Sequence, residues 1–100
     1  MKYGLSEKII GKIISTFSEF PEVDEVVLYG SRAKGNYKPG SDIDLTVKGG
    51  GINNSIINKI SLKLDDLYLP YTFDLSSYHH IKNADLADHI RRVGIVLYKK

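Results

Sequence analysis

Gly30-Ser31-Arg32-Ala33-Lys34-Gly35-Asn36-Tyr37-Lys38-Pro39-Gly40-Ser41-Asp42-Ile43-Asp44 is the stretch on which the reading of this chain turns. It follows Glu25-Val26-Val27-Leu28-Tyr29, a short β-branched run closed by glycine, which predicts a buried strand. It leads into Asp42 to Lys48, where Ile43, Leu45 and Val47 alternate with Asp42, Asp44 and Thr46, the pattern of a second strand. Between them, Ser31 to Lys34 can make a short helix ended by Gly35, and Asn36 to Ser41 is a loop punctuated by Pro39 and Gly40. A Gly-Ser corner after one strand therefore stands beside two aspartates opening the next. Such a corner offers backbone N–H groups, a hydroxyl and a helix-start dipole to a phosphate.

Working outward, Ser6 can cap a helix whose Ile9, Ile10, Ile13, Ile14 and Phe17 share one face, with Pro21 limiting it. Beyond the Gly49-Gly50-Gly51 break, Ile52 to Leu67 repeats apolar residues at helical intervals. Tyr71 to Leu75 alternates as a strand, with Tyr71, Phe73 and Leu75 on one side and Thr72 and Asp74 on the other. Asn83 is positioned to cap a last helix carrying Leu86, Ile90 and Val93, stopped by Gly94, and Ile95 to Tyr98 forms a final strand. The order α-β-α-β-α-β-α-β predicts an α/β or α+β sandwich built on one sheet. A chain of 100 residues fits a single domain over 1–100.

Composition excludes more than it selects. The net charge of +2 is too small, and its basic residues too scattered, to argue for nucleic acid as a direct partner. No apolar run approaches the roughly 20 residues that cross a bilayer, so no membrane role is expected. No secretory pattern is visible, and a cytoplasmic protein is the expectation. Cysteine is absent, which rules out thiolate metal sites and disulfides. His79-His80 lacks a third ligand at matching spacing and reads as a loop or helix start.

Asp42 and Asp44, two apart in a strand, project from one sheet face. If the strand carrying Asp74 lies alongside, at about 4.8 Å, three carboxylates can converge within one metal-binding radius. Like charges so close repel unless a cation neutralises them, and hard oxygen donors select Mg²⁺ or Mn²⁺. Two such ions can clamp the attacking and leaving oxygens of a displacement at phosphorus. Competing motifs fail on the letters. The glycine spacing from Gly30 to Gly35 is that of a P-loop, but Asn36-Tyr37 stand where Lys-Ser/Thr is required. An EF-hand starting at Asp42 meets Thr46 and Val47 in place of its third ligand and its glycine. Alone, a Gly-Ser pair is a turn and Asp-x-Asp a polar strand edge. Their spacing, joined by Asp74, gives the signal.

Those residues carry a family resemblance. Gly30-Ser31, the ten residues that follow, Asp42-x-Asp44 and a later Asp74 resemble the DNA polymerase β-like nucleotidyltransferase superfamily. Gly-Ser-Arg-Ala-Lys-Gly with Ser-Asp-Ile-Asp-Leu resembles more narrowly its minimal nucleotidyltransferases, and the likeness extends from Val26 to Tyr98. The resemblance implies a mixed sheet flanked by helices, two Mg²⁺ ions, and transfer of NMP from an NTP, ATP above all, to a hydroxyl with release of pyrophosphate. It implies that Gly30 and Ser31 bind the β- and γ-phosphates and that Asp42 and Asp44 bridge the metals. Asp74 then completes the site used by the nucleophile, and Arg32 and Lys34 match basic positions that steady phosphates. Larger relatives hold the acceptor with an appended helical domain, for which little sequence remains here. A small helical partner is therefore implied: either a substrate-binding subunit or a HEPN-type toxin modified with AMP on tyrosine, as in a type VII toxin–antitoxin pair. The rival expectation is a catalytically weak module that only docks onto that helical partner. The sequence leaves the oligomeric state open.

Overall fold

The computed structural model describes residues 1–100. Its core is a four-stranded sheet of β1 (Glu25–Tyr29), β2 (Ile43–Lys48), β3 (Phe73–Ser77) and β4 (Ile95–Lys99), in the order β3-β2-β1-β4. β1 runs antiparallel to both β2 and β4, and β2 runs parallel to β3, so the sheet is mixed. The α+β class is one of the two that the element order allows, and the mixed sheet is the one that the resemblance implies.

Alternation along the strands divides the sheet into two faces. Val26, Leu28, Ile43, Leu45 and Val47 turn to one side and are fully buried. There they meet Ile13 and Phe17 of α1 (Glu7–Ser18) and Ile60 and Leu64 of α3 (Asn54–Asp65). Each such side chain stabilises the fold by about 1.5–3 kcal/mol relative to exposure. Val27 and Tyr29 turn to the other side and pack with Ile90 of α4 (Ala84–Val93). The candidate site residues Asp44 and Asp74 share this second face by register, with Thr46 and Ser76 beside them.

Local chemistry accounts for the helix starts. The Ser6 hydroxyl accepts from the Ile9 N–H at 3.2 Å, as expected. The carboxamide oxygens of Asn53 and Asn83 accept from Ile56 and Leu86 at 2.9 and 3.0 Å. The Asn53 cap shortens α3 from the expected Ile52–Leu67 to Asn54–Asp65.

One further expectation shifts. The third strand begins at Phe73 rather than Tyr71 and continues to Ser77, because Ser76 and Ser77 pair with Thr46 and Val47 despite their weak strand preference. A 3₁₀ turn, Tyr78–His80, follows it and contains the two histidines. Gly94 ends α4 without a left-handed conformation, its φ being −61°. Glycine is required there because a Cβ would lie 2.7 Å from Val27 Cγ1 and collide with the Ile90 carbonyl.

Candidate active site

Gly30 lies at the turn from β1 into α2 (Gly30–Lys34), with a φ of +75° that only glycine adopts without strain. A Cβ at this position would strike the Asp44 carboxylate, with Cγ at 3.1 Å. The Gly-Ser corner is thus pressed onto the carboxylate it precedes by fourteen residues in sequence. Gly30→Ala should cost about 1–3 kcal/mol, from the left-handed φ and the lost contact space together. Thermal denaturation reads this directly. An unchanged melting temperature would mean that the corner relaxes freely and does not fix the approach to Asp44.

Asp44 is flanked in register by Tyr29 of β1 and Asp74 of β3, forming one row across the second face. Parallel neighbours about 4.8 Å apart put the two carboxylates side by side. Asp42 lies just before β2, exposed, rather than within the strand as the alternation predicts. Burial, and then the charges of Asp74 and Asp42, push the Asp44 carboxyl above its ordinary range, with the Arg32 guanidinium partly offsetting the rise. The Tyr29 phenol is pushed up as well, chiefly by burial and further by Asp74 and Asp44. The Ser76 hydroxyl offsets part of this, although it makes no hydrogen bond of good geometry.

Three hard oxygen donors that repel one another make a chemical fit for a divalent cation. They are neighbours and not a closed cage: no three Asp, Glu or His side chains are gathered closely enough to enclose an ion as they stand. Asp42 and Asp74 are both exposed, and Asp44 between them is half-buried. His79 and His80 are exposed and belong to no such group.

The expected phosphate seat needs two corrections. α2 spans only five residues, little more than one turn, so the helix dipole contributes little. The Ser31 N–H and hydroxyl remain as polar groups at this corner. Arg32, expected to grip phosphate with its side chain, is 2% exposed and turned away. Its Nε and Nη2 both donate to the Ser41 carbonyl, at 3.3 and 2.8 Å, and Nη1 donates to the Tyr3 carbonyl at 2.9 Å. The rings of Tyr37 and Tyr71 cover the guanidinium at 5.4 and 5.1 Å. Arg32 is a buried clamp, joining α2 to the residue that precedes Asp42.

One group at the corner has no role assigned to it by the sequence. His89 of α4 accepts the Gly30 N–H on Nε2 at 3.2 Å, across 59 residues of chain. Its ring meets Tyr29 edge-on at 6.2 Å. Only the packing of α4 on β1 brings it here.

With this geometry in place, comparison with known proteins gives a consistent answer. Residues 11–100 match the family described as Polymerase beta, Nucleotidyltransferase, and the chain belongs to that family. No curated protein sequence matches it. Among solved structures, a toxin–antitoxin with AMP-PNP contains a chain with a TM-score of 0.75 and 22% identity, covering 91% of this chain and 73% of that one. The Shewanella oneidensis tri-AMPylated HEPN toxin in complex with MNT antitoxin gives 0.71 and 19%, over 96% and 74%. The toxin–antitoxin MntA-HepT gives 0.70 and 20%, over 95% and 74%. At these identities the likeness is one of fold. No helix is long and apolar enough to cross a membrane.

Proposed function

We propose that this chain is a metal-dependent nucleotidyltransferase that moves AMP from ATP to a hydroxyl on a small helical HEPN-type partner, as the antitoxin of a toxin–antitoxin pair in the cytoplasm. The observation that carries the reading is the row formed by Asp44 and Asp74 in register, with Asp42 adjacent and the Gly30-Ser31 corner packed against it. Fold likeness to toxin–antitoxin structures, one with AMP-PNP and one with a tri-AMPylated HEPN toxin, supports the choice of nucleotide and partner.

In this reading Asp42, Asp44 and Asp74 hold Mg²⁺, two ions when nucleotide is bound, with Mn²⁺ as a substitute. Bound there, the metal supplies charge neutralisation for the triphosphate and for the oxygens that attack and leave. Gly30 shapes the turn, its N–H given to His89, and Ser31 holds the β- and γ-phosphates through its backbone N–H and hydroxyl. Asp74, on the outer strand β3 and exposed, faces the side from which an acceptor arrives and helps take its proton. The acceptor oxygen attacks the α-phosphorus, its bond to the bridging oxygen breaks, and pyrophosphate leaves. The acceptor comes from the partner.

The test is incubation with ATP labelled at the α-phosphorus and Mg²⁺, with and without the helical protein that co-purifies from the native host. Label should pass to the partner with the wild type and fail to pass with Asp42→Asn. Stable association without any transfer would overturn the enzymatic reading in favour of a docking module.

A further inference from the structure

We propose that His89 is a positioning residue of the nucleotide site: its Nε2 anchors the Gly30 amide and with it the corner that carries Ser31 against Asp44. The inference rests on the nucleotide reading above and deepens it. Gly30 is the first residue of α2, so its N–H has no partner within the helix. Glycine also has the widest conformational freedom of any residue, and here it must keep a φ of +75° while packed on a carboxylate. His89 supplies the missing partner at 3.2 Å.

A backbone N–H can only donate, so Nε2 carries the lone pair and Nδ1 the proton. The edge-on contact with Tyr29 at 6.2 Å and 79° fixes the ring plane that aims the lone pair. Tyr29 is itself the register partner of Asp44. His89 therefore ties α4 to the corner and, through Tyr29, to the strand position opposite the carboxylate. It acts through Gly30, and no contact with nucleotide is required of it.

Two substitutions separate the hydrogen bond from the packing. His89→Phe keeps a ring against Tyr29 and removes the acceptor, whereas His89→Gln can place a carboxamide oxygen near the position of Nε2. The full chain is titrated with ATP and Mg²⁺ by calorimetry, and ¹⁵N–¹⁵N coupling across the Gly30–His89 hydrogen bond is recorded by NMR. The wild type should show the coupling. His89→Phe should lose it, lower the melting temperature by about 4–8 °C, the weight of one ordinary hydrogen bond, and raise the Kd about fivefold because the corner is no longer held in its binding position. His89→Gln should bind within about twofold of wild type. Equal affinity in the wild type and the Phe variant would overturn the inference, as would a Gln variant as weak as Phe or a missing coupling in the wild type. A wild type that shows the coupling but binds no ATP would instead overturn the nucleotide reading on which the inference stands.

Discussion

Asp44→Asn is expected to lower nucleotidyl transfer at least about 100-fold, since even groups one shell out from a metal commonly change its binding or activity 10- to 100-fold. The substitution keeps the shape of the side chain, the strand register with Tyr29 and Asp74, and the space that Gly30 leaves for it. It removes the charge. Stability should move the other way. In the folded chain the Asp44 carboxyl titrates above its ordinary value because burial, and then Asp74 and Asp42, penalise the carboxylate. The folded state therefore holds that proton to higher pH than the unfolded state does. Without a divalent cation, stability falls as pH rises from the ordinary carboxylate range through the raised value, and asparagine has no such slope. In chelator at neutral pH, Asp44→Asn should melt at or above the wild-type temperature while remaining inactive. A clearly lower melting temperature would mean that the fold is damaged, and the activity loss would then say nothing about the charge. Full activity would remove Asp44 from the site.

The strands around this aspartate were legible because burial on alternate positions leaves a direct trace in the letters. Ile43, Leu45 and Val47 point to one core with Asp44 and Thr46 between them on the other face, whereas β1 is buried on both faces and was legible as an unbroken β-branched run. Asp74 could be placed on a strand, but not opposite Asp44: parallel pairing depends on a crossover through α3, which no local pattern encodes. The third strand slid by two residues for a related reason. Ser76 and Ser77 are weak strand formers, and β2 beside them supplies the backbone partners that keep them extended. The role of His89 was not legible because its partner is a backbone amide 59 residues away. Approach between a backbone and a distant side chain has no composition signal. The glycine at position 30 hinted at close approach but did not say what approaches.

Arg32→Lys is expected to destabilise the fold by about 2–3 kcal/mol, because lysine cannot reproduce a planar fork at a stacked, bidentate site. For a domain of this size that corresponds to a fall in melting temperature of about 10–20 °C. The guanidinium meets two carbonyls with three donors and lies between two tyrosine rings, with no carboxylate in salt-bridge contact. An ammonium in the same place keeps the buried charge, loses the flat surface that the rings cover, and leaves the Tyr3 or the Ser41 carbonyl unpaired. The Tyr3 carbonyl belongs to a tight turn in which Tyr3 and Gly4 both have positive φ, so it has few ways to adjust. Ser41 directly precedes Asp42, and loosening its carbonyl loosens one of the proposed metal ligands. The expected result is therefore a large stability loss measured without nucleotide, together with weakened turnover below the melting transition. A residue that gripped phosphate from the surface would behave differently. Its lysine variant would melt like the wild type in the absence of ATP and would lose only nucleotide affinity. That second outcome would return Arg32 to the role its place beside Gly30-Ser31 first suggested.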